Sequence, residues 1–250
     1  AAASLGCDGA ANFQLPEGMA GQPPELTANA EVGVSGARRL SRVELDATLA
    51  DLLGDTSGSA QRLLPPDPAD PFDNDYSGQL ASATLIEALE QLATEASDRV
   101  ISDPLKRAKV IPCTPTGPGD SGCLRTVVSG LGRRVLRRPL TDEEVNAYLG
   151  LQRYAVEAND FDVGVKLVIR ALLQQEEFVY RVEIGAPVAG KEGVSRLGPY
   201  QLASRLSFFL WGTTPPDTLL DAAASGALGT SEGVRANAAR LLADPRAQAR

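Results

Sequence analysis

The sequence contains no histidine among its 250 residues. This absence excludes Ser-His-Asp and Cys-His nucleophilic sites, histidine-ligated zinc sites and the CxxCH haem-attachment motif from this sequence. Any general acid or base would have to be Asp, Glu, Lys, Tyr or Cys. With one tryptophan and 5% aromatic residues, stacking on sugars or bases is a poor basis for a main activity. No catalytic constellation stands out, so the sequence leaves open whether the chain is an enzyme.

The sequence also lacks an excess of positive charge and a long hydrophobic run. Lys and Arg number 24 against 32 Asp and Glu, which gives a formal net charge of −8. Because nucleic-acid-binding proteins usually carry a basic surface, we expect no nucleic-acid partner. No uninterrupted apolar run approaches the ~18 residues that a membrane span requires, so we expect no membrane span. A hydrophobic content of 43% is typical of a soluble globular protein.

Two of the three cysteines, Cys113 and Cys123, bracket a loop that is rich in proline and glycine. We interpret them as a disulfide that closes the loop, which implies an oxidising compartment. The alternative is a pair of free thiols. Two cysteines without histidine or a second pair make a poor metal site.

The third cysteine, Cys7, follows Gly6 in a stretch that looks like the end of a lipoprotein signal. In such signals Gly-Cys marks the point of cleavage and lipidation, but Ser4 stands here where leucine is usual. Two interpretations stay open: a lipid anchor on Cys7, or an unmodified free cysteine. Together with the disulfide, the first predicts export to the periplasm or the cell surface.

Helical periodicity recurs along the chain and strand-like alternation does not, which predicts an all-α fold. We expect a multi-helix orthogonal bundle with long irregular loops and one short disulfide-closed loop. Residues 1–36 are small and polar and are interpreted as a signal remnant and flexible tether. We predict an N-terminal helical domain with an Asp-rich loop at 37–110, a central helical domain at 111–185, and the start of a C-terminal helical domain at 194–250.

Two helix starts carry the same capping pattern. Ser41 is followed three residues later by Glu44, and Thr141 by Glu144, as in a capping box. Pro139 precedes the second start, and the residue before a proline is disfavoured in the α region, so the preceding helix should end near residue 138. Residues 133–145 are therefore a predicted helix–turn–helix corner.

Four arginines lie at the end of the helix that leads into this corner: Arg133, Arg134, Arg137 and Arg138. We favour a solvated helix end, in which cationic side chains complement the negative end of the helix dipole. The alternative is an anion site or, if a haem lies elsewhere in the protein, a set of contacts to that haem.

Apolar residues concentrate in two places. Residues 161–182 form the strongest apolar segment and predict one buried central helix. Phe208, Phe209 and Trp211 lie at helical spacing, and we interpret them as core, with a ligand pocket as the alternative.

A loop at residues 55–79 concentrates oxygen ligands, namely Asp70, Asp73, Asn74 and Asp75. Calcium takes six to eight oxygen ligands, so this loop could hold Ca²⁺. The spacing is not that of an EF-hand, and Asp and Asn are favoured in turns for other reasons. Turn chemistry is the favoured interpretation.

Three blocks of sequence occur in a fixed order. The first is residues 39–45 with 51–54 and 72–75, and the second is Cys113 and Cys123 with residues 137–144 and 177–183. The third is residues 202–211 with 216–217, 219–220, 226–228 and 244–246. Together they resemble the planctomycete and myxobacterial secreted domain family, a set of helical domains of unknown function. The resemblance covers about residues 38–250; the ordered set is specific, although no single block would be.

What the resemblance implies is an exported redox protein, because relatives often carry a CxxCH segment or a cytochrome c-like domain. Haem c is then expected in a part of the protein beyond this sequence, with no cofactor in this chain apart from the calcium candidate. The hypothesis is an exported helical module of unknown molecular activity, the N-terminal scaffold of a larger cytochrome c-linked oxidoreductase. Its partners would be downstream domains of the same polypeptide and a redox partner. The alternative is a non-catalytic, surface-anchored binding or structural module.

Overall fold

Helices account for most of the part of the chain that the computed structural model describes, residues 37–68 and 81–248. The first elements are β1 (Arg38–Arg39), α1 (Arg42–Leu53), α2 (Ser59–Leu63), α3 (Ala83–Ser102) and α4 (Pro104–Val110). Next come α5 (Ser121–Val135), α6 (Asp142–Leu149), α7 (Gln152–Glu157), α8 (Phe161–Leu173), α9 (Glu176–Val179) and β2 (Tyr180–Arg181). The last are β3 (Ala186–Pro187), β4 (Ser195–Arg196), α10 (Pro199–Trp211), α11 (Asp217–Ala224) and α12 (Ser231–Leu242), with 3-10 turns at Ala227–Gly229 and Pro245–Ala247. The predicted all-α class is confirmed.

Both predicted capping boxes form. At the start of α1, the Ser41 hydroxyl accepts from the Glu44 amide (3.3 Å), and the Glu44 carboxylate accepts from the Ser41 amide (3.0 Å). At the start of α6, the Thr141 hydroxyl accepts from the Glu144 amide (3.2 Å), and the Glu144 carboxylate accepts from the Thr141 amide (2.8 Å). Each box satisfies two amides that a helix start leaves without an intrahelical partner, and so fixes where the helix begins.

One hydrophobic core extends from α1 to α9. Helix α8 lies at its centre and packs against α3, α5 and α7. Its side chains Val165, Val168, Ile169 and Leu172 are fully buried, and such burial stabilises by about 1.5–3 kcal/mol per side chain. Residues 40–64 and residues 110–179 both contribute to this core. The domain boundaries near 110 and 185 stay a prediction.

The prediction of one continuous helix over residues 161–182 is wrong. Helix α8 ends at Leu173, and Gln175 is extended, with φ −65° and ψ 139°. After the short α9, the chain forms β2, which pairs antiparallel with β1 (Arg38 with Arg181, Arg39 with Tyr180). This pairing joins residues far apart in the sequence, so the helical periodicity of the local segment could not reveal it. A second two-stranded ladder, β3 with β4, follows.

Helices α10, α11 and α12 surround a second, smaller core. It is built on Ala203, Leu219, Leu220, Ala223, Leu228 and Leu241. Helix α10 belongs to both cores, because Phe208 is fully buried in the first core while Ala203 is buried in the second. Hydrogen bonds from Thr213 to the Asp51 carboxylate and from Thr214 to the Arg134 carbonyl, both 2.9 Å, also join the two parts.

The aromatic cluster on α10 is divided by the fold. Phe208 has no exposed surface, whereas its neighbour Phe209 is 74% exposed. The Trp211 indole N–H donates to the Leu241 carbonyl (2.9 Å), and its ring packs beside the second core. The interpretation of the cluster as core therefore holds for Phe208 and is wrong for Phe209. Across residues 37–68 and 81–248, none of the helices has both the length and the apolar character of a bilayer span.

Candidate functional site

The predicted disulfide is present. The two sulfur atoms of Cys113 and Cys123 lie 2.05 Å apart, and the Cα atoms lie 5.8 Å apart. Asp120, inside the closed loop, caps α5 by accepting from the Cys123 amide (2.9 Å), and it also accepts from the Thr116 amide (3.0 Å). The loop is therefore tied both covalently and by hydrogen bonds to the start of α5.

Helix α5 ends earlier in the arginine-rich stretch than the position of Pro139 predicts. The helix ends at Val135, and Arg137 has φ 60°, in the left-handed region that few residues other than glycine adopt. This conformation reverses the chain before Pro139 is reached. It separates Arg137 and Arg138 from Arg133 and Arg134, which lie in the last turn of α5, so the four side chains do not form one cationic row.

Arg137 is buried, with 5% of its surface exposed. Its guanidinium donates to the backbone carbonyls of Tyr180 (3.0 Å), Phe178 (3.3 Å) and Glu177. Burial and the nearby charge of Arg181 lower the pKa of Arg137 to about 10, so the side chain is still charged at neutral pH. Arg137 thereby joins the end of α5 to α9 and β2.

Arg138 holds two carboxylates. It donates to both oxygens of Glu144 (2.9 and 2.7 Å) and to both oxygens of Glu177 (2.9 and 2.7 Å). These bonds raise the pKa of Arg138, and they lower the pKa of Glu144 to about 2. Because Glu144 also completes the capping box of α6, one arginine joins the start of α6 to α9.

Arg133 and Arg134 face elsewhere. Arg133 pairs with Asp221 (2.5 Å) and Asp217 (3.3 Å) of α11, and Arg134 donates to the Asp51 carbonyl at the end of α1 (3.4 Å). The four arginines therefore do not converge on one anion. Arg137 and Arg138 line a cleft, and neither Arg133 nor Arg134 does.

That cleft, of about 330 Å³, lies between the end of α5, the α9–β2 segment and the first turns of α10. It is lined by residues 136–138, residues 176–177, residues 180–184, and by Tyr200, Gln201 and Ser204. We call it the arginine cleft. A second pocket, of about 540 Å³, is lined by residues of the β3–β4 hairpin between 187 and 195. Its charged lining residues are Lys191 and Glu192, whereas the arginine cleft is lined by several arginines and glutamates.

Sequence reasoning missed Arg181 beside this cleft, and it did not connect Phe208 with the arginines. The Cζ atoms of Arg181 and Arg137 lie 5.0 and 5.8 Å from the centroid of the Phe208 ring, at cation–π distance. Arg181 is 9% exposed, and burial lowers its pKa. No local signal could have found this arrangement, because the three residues come from three separate elements.

Several predicted site residues lie outside the described part of the chain: Cys7, Asp70, Asp73, Asn74 and Asp75. Among the described residues, no group of three or more Cys, Asp or Glu side chains is arranged to hold a metal ion.

Three segments of the chain match family models of unknown function, in the order expected from the sequence. Residues 38–102 match PSD3, a protein of unknown function (DUF1587), and residues 123–183 match PSD5, a protein of unknown function (DUF1595). Residues 197–250 match PSD4, a protein of unknown function (DUF1592). No curated protein and no solved structure matches the chain. The arginine cleft takes its residues mainly from the second and third matched segments.

Proposed function

We propose that this chain is an exported helical scaffold module of a larger cytochrome c-linked oxidoreductase. The scaffold role rests on the use of the arginines in the 133–138 stretch, and the cytochrome linkage rests on the resemblance to secreted domains. Arg133 pairs with carboxylates of α11, Arg137 donates to backbone carbonyls, and Arg138 holds carboxylates of α6 and α9. These bonds fix helices around one corner, which is the role of a scaffold.

The residues of this sequence do not fit a covalently attached c-type haem. Attachment requires a CxxCH motif, and the sequence has no histidine. Two of its three cysteines are joined in the Cys113–Cys123 disulfide. The haem of the proposed oxidoreductase is therefore assigned to a different segment of the protein, in keeping with the resemblance to cytochrome-associated secreted domains.

The cytochrome linkage is tested on the complete native protein, purified from its own host. We expect a Soret band and a positive pyridine haemochrome assay for that protein, and neither for the 250-residue chain expressed alone. A complete protein without a Soret band, encoded by a gene without a CxxCH motif, would contradict the linkage.

Export is supported by the disulfide, because such bonds persist in oxidising compartments. Thiol titration in denaturant should release two more thiols with reductant than without, for protein isolated from its host under alkylating conditions. Cell fractionation should place the protein in the periplasm or at the surface. A cytoplasmic pool with all cysteines reduced would count against export.

The alternative is a non-catalytic, surface-anchored binding or structural module. The Gly6-Cys7 sequence favours this alternative, since it resembles a lipidation site. Metabolic labelling with a fatty acid, compared between the native sequence and Cys7→Ala, tests the anchor. Label on the native form alone, together with a gene that encodes no CxxCH, would favour the alternative over the cytochrome-linked scaffold.

A further inference from the structure

Lys109, one of four lysines in the sequence, lies on α4 beside a second cation at the end of α1. Its ammonium group donates to the Ala50 carbonyl in the last turn of α1 (3.4 Å). The guanidinium of Arg134, from α5, donates to the next carbonyl, that of Asp51 (3.4 Å). The negative end of the α1 dipole attracts both side chains, but the two like charges repel each other.

The other lysines have different surroundings. In the part of the chain that the structure describes, no carboxylate lies within ion-pair distance of the Lys109 ammonium group. Two of the other lysines are paired with carboxylates: Lys106 with Asp103 (3.8 Å) and Lys166 with Asp98 (2.9 Å). An ion pair holds an amine in its protonated form, and Lys109 lacks that support.

The surroundings of Lys109 favour its neutral amine. Partial burial of the ammonium group against α1 and the charge of Arg134 lower the pKa of Lys109, and the Asp51 carboxylate opposes this shift only in part. That carboxylate accepts from the Thr213 hydroxyl (2.9 Å) and also faces Arg246 (4.0 Å). A lysine next to another cation is an activated nucleophile, because the neutral amine is the form that attacks. The Lys109 side chain is also exposed, so a reagent in solution reaches it.

The same surroundings favour an imine product. An imine is less basic than the amine from which it forms, so it is neutral over more of the pH range. Forming an imine at Lys109 therefore relieves the repulsion from Arg134. Forming one at Lys106 or Lys166 instead breaks an ion pair.

We propose that Lys109 is a site of covalent modification by small aldehydes. The neutral amine nitrogen forms a bond to the aldehyde carbon, and the aldehyde oxygen leaves as water with the two amine protons, which gives an imine. This inference goes beyond the scaffold role and does not depend on it, since it concerns only the described residues of this chain.

The test treats the folded chain with limiting propanal at neutral pH, reduces the imines with sodium borohydride and maps the propylated lysines by peptide mass spectrometry. Lys191 is the internal reference, because it is exposed in the β3–β4 hairpin and has no described ion-pair partner. We expect several-fold more product on Lys109 than on Lys191, since each unit by which an amine pKa falls raises the neutral fraction about tenfold. In concentrated urea, where the neighbouring groups are lost, the two lysines should react equally.

Two variants locate the cause. Arg134→Met removes the neighbouring charge and keeps an apolar stem, so the product on Lys109 should fall to the level on Lys191. The matched control is Arg133→Met, which removes the same charge from the adjacent position of α5, where the guanidinium pairs with carboxylates of α11. This control should leave the ratio of product on Lys109 to product on Lys191 unchanged. Circular dichroism verifies that both variants are folded.

NMR of the original chain, labelled with ¹³C at lysine Cε, gives a second readout. The resonance of Lys109, assigned by its absence in Lys109→Arg, should titrate at the lowest pH of the four lysines. Product on Lys109 no greater than on Lys191 overturns the proposal, and so does a Lys109 titration midpoint that is not the lowest. An unchanged product ratio in folded Arg134→Met also overturns it, because the neighbouring cation would then not be the cause.

Discussion

Replacing Phe208 by alanine should uncouple the unfolding of the two hydrophobic cores of this protein. The side chain is fully buried in the first core, although its helix packs mainly in the second. Two guanidiniums, those of Arg137 and Arg181, lie over its ring. Phe208 is thus the side chain by which α10 reaches into the first core.

The magnitude follows from burial and from the ring contacts. Truncating a buried phenylalanine to alanine costs about 3–5 kcal/mol, which includes the cavity that remains. Losing two cation–π contacts adds roughly 0.5–1 kcal/mol each. We therefore expect Phe208→Ala to lower the free energy of unfolding by about 4–7 kcal/mol. Phe208→Leu keeps most of the apolar volume and should cost about 1–3 kcal/mol.

The neighbouring residue gives the matched control. Phe209 lies on the same helix but is 74% exposed, so Phe209→Ala should change the free energy of unfolding by less than about 0.5 kcal/mol. Urea unfolding is followed by far-UV circular dichroism for all helices and by fluorescence of Trp211, which packs beside the second core. In Phe208→Ala the fluorescence and dichroism transitions should no longer coincide, since non-coincident probes indicate loss of two-state behaviour.

A difference of less than about 1 kcal/mol between Phe208→Ala and Phe209→Ala would refute this reasoning. Coincident transitions in Phe208→Ala, at a lower midpoint, would show that the hydrogen bonds from Thr213 and Thr214 are sufficient to couple the cores.

Two further predictions concern the corner. On α5, a Cβ at Gly130 would meet no atom within 4 Å, whereas a Cβ at Gly132 would lie 2.7 Å from Leu140 Cδ1. Gly130→Ala should therefore raise the free energy of unfolding by about 0.5–1 kcal/mol, and Gly132→Ala should lower it by about 1 kcal/mol. Equal shifts of the urea unfolding midpoint in the two variants would contradict this prediction. Arg138 lowers the folded-state pKa of Glu144 from 4.5 to about 2, so the stabilisation is present above pH 4.5 and lost as the pH falls towards 2. After allowance for solvent screening, this contribution to the free energy of unfolding is about 1–2 kcal/mol. Between pH 5 and pH 2, Glu144→Gln should therefore lose about 1–2 kcal/mol less stability than the original chain does. Parallel stability–pH profiles of the two proteins would contradict the assignment.

Local features of the fold were predictable from the sequence. The capping boxes at Ser41 and Thr141 and the disulfide between Cys113 and Cys123 join residues at most ten positions apart. Hydrogen bonds and covalent links of this range depend on the order of residue types along the chain, which the sequence displays directly.

The candidate site was predictable only in part. Sequence reasoning identified Arg137 and Arg138, but it did not separate them from Arg133 and Arg134. Two features distinguish Arg137 and Arg138 from the other two arginines. One is the left-handed backbone conformation of Arg137. The other is hydrogen bonding to residues 177–180, about 40 positions further along the chain. Arg181 was missed because the strand that carries it is two residues long and lies within a segment with helical periodicity.

The sequence by itself therefore determined the all-α class, the helix starts and the closed loop, since each rests on interactions between near neighbours. The tertiary structure alone decided where the 161–182 segment breaks, which arginines line the cleft and which phenylalanine joins the two cores. These depend on contacts between residues far apart along the chain, such as Arg38 with Arg181 in the β1–β2 pair and Phe208 with Arg137. Buried polar groups are almost always hydrogen-bonded, but the partner is often distant in the sequence, so the order of residues alone does not predict which partner it is.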